Sequence, residues 1–284
     1  DLAGNTKYTL PTPMLNVING GKHARRSTDI QEFMIVPAKD KGFLESLEMA
    51  SNVFHALAQI LSNKGYSTAV GDEGGYAPNL SGGTDEALGL IEQAVQKSGY
   101  RLCIEVSLAL DVAASELRHD NNYNFAKESR QFTSDELISW YEQLLAQHPI
   151  VSLEDGLAED DWPGWQKLSN VLGSKIQIVS DDLTVTNTEL LKKAIREKAA
   201  NAILIKPNQI GTLTETINAV QMAKQAGWRT IISHRSGETE DTTIAHLAVG
   251  LDAGQIKTGS FSRSERVAKF NELIRIWQDI ASTN

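Results

Sequence analysis

Through the last two-thirds of the chain, short apolar runs end repeatedly in one charged or imidazole side chain. The runs are Leu108-Ala109-Leu110-Asp111, Ile150-Val151-Ser152-Leu153-Glu154, Ile178-Val179-Ser180-Asp181, Ile203-Leu204-Ile205-Lys206, Ile231-Ile232-Ser233-His234 and Gln255-Ile256-Lys257. Their polar ends, at 111, 154, 181, 206, 234 and 257, are spaced by 43, 27, 25, 28 and 23 residues. Apart from the first, each interval holds one strand, one helix and two loops. Each polar residue is therefore expected at the carboxyl end of a successive parallel strand, the rim where barrels of this kind do their chemistry.

The segments between fit that reading. Residues 84–98 set Ala87, Leu90, Ile91, Ala94 and Val95 at helical spacing and stop at Gly99, and 43–62 do the same with Leu44, Leu47, Val53, Leu57, Ile60 and Leu61. Thr133, Thr186 and Thr212 each precede a glutamate by three residues, the pattern of a capped helix start. Two strand-like segments, 14–18 and 32–36, come before the first helices. The predicted order is ββαα followed by six βα units. That is an α/β fold, a (β/α)8 TIM-type barrel in which one strand runs antiparallel, with a single domain across 1–284.

Composition narrows the class. The chain has 284 residues, 41% hydrophobic, enough for one such barrel. A net charge of −9 argues against nonspecific binding to nucleic acid. No apolar run is long enough to span a membrane. Cys103 is the only cysteine, so no internal disulfide can form, and a reduced, cytoplasmic setting is expected. Its apolar neighbours Leu102 and Ile104 place it in the core.

The rim residues suggest the chemistry. Asp111, Glu154 and Asp181 are hard oxygen donors on three strands, which suits Mg²⁺ or Mn²⁺. Asp155 and Asp182, next in sequence, are alternative ligands. Lys206 and Lys257 leave the barrel core at the same rim, where burial and nearby cations would lower a lysine pKa and make it a base. His234-Arg235-Ser236-Gly237 reads as an anion site. Gly71-Asp72-Glu73-Gly74-Gly75 reads as a mobile loop delivering an acid, and His23, after Asn19-Gly20-Gly21, could reach over the mouth.

Taken together, Asn19-Gly20-Gly21, Asp29–Met34, Gly71–Pro78, Ser152–Asp155, Lys206–Gly211, Ser233–Asp241 and Ile256–Ser260 resemble the enolase family over essentially the whole chain. The resemblance implies the barrel domain of a phosphopyruvate hydratase, a lyase converting 2-phosphoglycerate to phosphoenolpyruvate in glycolysis with Mg²⁺. It implies Asp111, Glu154 and Asp181 as Mg²⁺ ligands and Lys206 as the base at C2. Glu73 would be the acid at C3, with Glu32 beside it. His23 and His234 would line the pocket, Lys257 would bind the substrate carboxylate, and Arg235 with Ser236 the phosphate. It also implies a homo-oligomer, and an amino-terminal α+β domain that does not appear among residues 1–284. The rival expectation is a non-catalytic binding role, with a surface or secreted pool. Arg25-Arg26 stands where the family carries acidic or amide residues.

Overall fold

A computed structural model describes residues 8–24, 27–38 and 42–283. Arg25 and Arg26 lie outside them. Eight strands close a barrel: β1 (Thr12–Asn19), β2 (Glu32–Pro37), β3 (Val106–Asp111), β7 (Ile150–Glu154), β8 (Gln177–Ser180), β9 (Ala202–Ile205), β10 (Arg229–Ser233) and β11 (Gly254–Lys257). Strand β2 is antiparallel to both β1 and β3, and the other barrel pairs are parallel. The expected order is thus found, with α1 (Phe43–Asn63) and α2 (Gly83–Lys97) between β2 and β3.

The long first interval has a separate cause. After β3 the chain makes a three-stranded antiparallel sheet of β4 (Arg118–His119), β5 (Asn122–Phe125) and β6 (Arg130–Phe132) before α3 (Ser134–Gln147). It was not foreseen because its strands are too short for a periodic signal. The remaining helices are α4 (Trp162–Leu172), α5 (Thr188–Glu197), α6 (Pro207–Ile210), α7 (Leu213–Gln225), α8 (Thr243–Gly250) and α9 (Ser264–Thr283).

Strand alternation divides the core in two. Met14, Met34, Val36, Ala109, Val179, Ala202, Leu204 and Ile231 pack together inside the barrel. Their neighbours Phe33, Ile35, Leu108, Leu110, Ile178, Ile203, Ile205 and Ile232 belong to the larger core shared with the helices. Nearly every barrel strand residue is buried, because parallel strands are covered on both faces.

Two local expectations fail. The cap of α5 is Asn187, which accepts from the amides of Glu189 and Leu190, while Thr186 turns inward toward the Leu204 carbonyl and Gln209. Thr133 and Thr212 cap their helices as expected. Cys103 is exposed and holds φ of 64°, in a turn before β3 whose Ile104 is 58% exposed. Leu102 packs against the core, but Cys103 and Ile104 lie in a surface turn closed by the bond from the Cys103 amide to the Val106 carbonyl. Among the described residues no helix is long and apolar enough to cross a membrane.

Candidate active site

The alternation that fills the barrel also aims its rim. Residues 34 and 36, 109, 179, and 202 and 204 face inward. By the same parity Glu32, Asp111, Asp181 and Lys206 face inward too. Register then lines up the acids, since Glu32 pairs with Asp111 and Asp111 with Glu154. Three carboxylates in one row repel each other. Lys257, arriving from β11, answers them: its Nζ lies 2.8 Å from Asp111 Oδ2, 2.8 Å from Glu154 Oε1 and 3.0 Å from Glu32 Oε1. All four side chains are at most 6% exposed. On the next strands, Lys206 Nζ donates to Asp181 Oδ2 at 2.5 Å.

Asp155 breaks the alternation through a left-handed φ of 43°. Its two oxygens accept the backbone amides of Asp181 and Asp182, both at 2.9 Å, so it orients the end of β8. Carboxylate oxygens of Asp155, Asp181 and Asp182 lie within 4.8 Å of one another, a spacing that could hold a metal ion. The residues foreseen as ligands are therefore distributed: Asp181 is in this group, while Asp111 and Glu154 gather on Lys257. Both groups line or underlie one hollow, and oxygens from each are buried without a hydrogen-bond partner: Glu32 Oε2, Glu154 Oε2 and Asp181 Oδ1. An all-oxygen donor set with excess negative charge fits a hard divalent cation.

Burial and mutual repulsion set the protonation. Glu32 is pushed well up by burial and then by Glu73; Glu154 by burial and Asp111; Asp155 by burial and Asp181. Burial and the Asp181 charge bring Asp182 to about 6. Burial also opposes ionisation of Asp111, but Lys257 outweighs it and holds the group down. Lys206 corrects an expectation. Burial does lower it, yet Asp181 and Glu154 together outweigh burial and the net shift is upward, so in this arrangement the amine is a cation paired with a carboxylate.

The Gly71–Gly75 segment is tied to its surroundings by hydrogen bonds. The amide of Gly71 donates to the carbonyl of Gly75, Ser262 Oγ donates to the Gly74 carbonyl, and the Ser260 amide donates to the Glu73 carbonyl. Gly74 has φ of 86°, and a Cβ there would meet the Ser262 carbonyl at 2.7 Å. The pinned turn buries Glu73, which accepts from Asn16 Nδ2 at 3.2 Å and lies 3.5 Å from His23 Nδ1 and 3.4 Å from His234 Nε2. Burial raises the Glu73 pKa, but His234, Lys257 and the neighbouring Glu32 carboxyl bring it well below its ordinary value. His234 is itself held low, chiefly by burial and against the pull of Glu73. The pair Glu32–Glu73 thus keeps its proton on Glu32.

At the mouth, Arg235 donates to Asn208 Oδ1 and Ser236 is exposed, both beside the hollow. Sequence reasoning missed Asn16, Gln31 and Arg266. Gln31 Nε2 stands 3.5 Å from Asp111 Oδ2. For Arg266 a signal existed: it occupies an apolar-face position of α9, in line with Phe270 and Leu273.

A closed barrel with one reversed strand, carrying acids and lysines at one rim, defines an enolase-type fold. The chain matches the family of the enolase C-terminal TIM barrel domain over residues 7–284, and it belongs to that family.

Proposed function

We propose that residues 1–284 form the catalytic barrel of a phosphopyruvate hydratase, a cytoplasmic lyase of glycolysis that reversibly dehydrates 2-phosphoglycerate to phosphoenolpyruvate. The supporting observation is the convergence of Lys257 on Glu32, Asp111 and Glu154, beside Lys206 on Asp181. Asp111, Glu154 and Asp181 would hold Mg²⁺, with Asp155 and Asp182 behind them. Bound there, the cation supplies positive charge to the substrate carboxylate.

The remaining work falls to the side chains. A proton beside a carboxylate is weakly acidic because its loss adds a second negative charge to that group. Lys257 counters this charge from a rigid, water-poor position. Lys206 removes the C2 proton once its amine, released from Asp181, has lost its own proton. Glu73 gives a proton to the hydroxide leaving C3, and Glu32 is its reserve, since that carboxyl holds the pair's proton. Arg235 and Ser236 bind the phosphate at the exposed mouth, and His23 and His234 wall the acid's side of the hollow.

A coupled assay on 2-phosphoglycerate tests the reading, with this chain alone and with an added amino-terminal enolase domain. Lys206→Ala should abolish turnover in whichever form is active, and near-normal activity would assign the base elsewhere. Calorimetry should show Mg²⁺ binding lost in Glu154→Ala; an unchanged affinity would reject the ligand set.

A further inference from the structure

Arg266 lies in the first turn of α9 and is fully buried. Its Nη1 sits 2.6 Å from His234 Nδ1 and donates to the Arg235 carbonyl at 2.7 Å. Its Nη2 donates to the carbonyls of Asp72 at 2.9 Å and Ser236 at 2.7 Å. None of these four acceptors is a carboxylate. A buried charge normally needs an ionic partner to offset its desolvation, and here burial pulls the guanidinium below its ordinary pKa. The charges of Glu73, Glu265 and Glu238 offset only part of that cost, so they do not account for the arginine. Its contacts do: Asp72 precedes Glu73, and Arg235 and Ser236 follow His234.

We propose that Arg266 is a positioning residue that fixes His234 in the Nε2–H tautomer and ties the turn carrying Glu73 to the loop carrying Arg235 and Ser236. The chemistry is one-sided. A guanidinium has N–H donors and no acceptor, so His234 Nδ1 must accept. The neutral ring then carries its proton on Nε2, whose nearest partner is Glu73 Oε2 at 3.4 Å. The other tautomer would set two donors head to head at 2.6 Å. Because one planar fork spans both loops, the proton donor and the anion site cannot move independently. Lys269, one turn further on and also buried, extends the clamp by donating to Glu238 Oε2 at 2.8 Å and to the Thr239 carbonyl. The geometry stands by itself, but its purpose rests on the hydratase reading of Glu73.

The test is ¹⁵N NMR of the histidine rings in this chain, with His234 assigned by the loss of its signals in His234→Gln. Wild type should show an unprotonated Nδ1 and a protonated Nε2. Arg266→Met, which keeps the stem and removes every donor, should mix the tautomers. Arg266→Lys, which keeps a cationic donor without an acceptor, should retain the wild-type tautomer. In the assayed enzyme kcat should fall at least tenfold for Arg266→Met and recover in part for Arg266→Lys. A proton on Nδ1 in wild type overturns the proposal even if no variant folds. So does an unchanged tautomer in folded Arg266→Met. A tautomer shift in a protein that never turns over 2-phosphoglycerate supports the positioning role and defeats the hydratase reading instead.

Discussion

Replacing Asp182 with Asn should stabilise the metal-free protein, and only above a certain pH. Among the described residues the Asp182 side chain makes no hydrogen bond, and burial with the charges of Asp181 and Asp111 outweighs the attraction of Lys206. In the fold this carboxyl titrates at about 6 instead of 3.8. Each pKa unit is worth about 1.4 kcal/mol, so the gap sets an upper bound near ~3 kcal/mol. The side chain is part-exposed, and solvent screening reduces the gain to about 1–2 kcal/mol. The sign follows from the raised pKa. Below about pH 4 both folded and unfolded chains hold the proton, and Asp and Asn behave alike. Between there and about 6 the folded protein keeps a proton that the unfolded chain has lost, and the penalty on Asp grows to its full size. At pH 8 thermal unfolding of Asp182→Asn should occur about 2–3 °C above wild type, using the per-residue unfolding entropy. At about pH 3, below both pKa values, the two should coincide. Saturating Mg²⁺ should erase the difference, because a cation beside Asp181 removes the repulsion. A gain of equal size at both pH values, or a loss at pH 8, would show that the acids at the end of β8 do not repel as described.

Two further predictions follow from the same site. Since Glu154 and Asp155 are pushed well up and Asp182 to about 6, protons compete with the cation; Mg²⁺ affinity should weaken as the pH falls from about 8 to 6, with proton release visible in calorimetry across buffers of different ionisation enthalpy, and a flat profile would contradict the assignment. Gly259 holds φ of 80°, and a Cβ there would sit 2.6 Å from the Glu73 carbonyl and 2.7 Å from Arg266 Cδ, so Gly259→Ala should cost about 1–3 kcal/mol in denaturant unfolding and reduce turnover more than substrate affinity; wild-type activity would show that Glu73 tolerates displacement.

Periodicity alone decided the barrel. Apolar runs a strand long, separated by amphipathic helices, leave few alternatives to parallel strands covered on both faces. It also named the polar residue at each strand end, because a charged side chain after a run such as Ile203-Leu204-Ile205 must leave the core. Only tertiary structure decided what those residues do to one another. Whether Lys206 is lowered by burial or raised by Asp181 depends on a contact across 25 residues, and the proton shared by Glu32 and Glu73 on one across strands and a turn. Arg266 is the clearest case: its place on the apolar face of α9 marks it as buried, but its role comes from carbonyls about 30 and 194 residues away. The physical reason is range. Helix and strand formation answer to neighbours a few residues off, whereas a pKa or a tautomer answers to whatever charge or donor the closed barrel brings within a few ångströms.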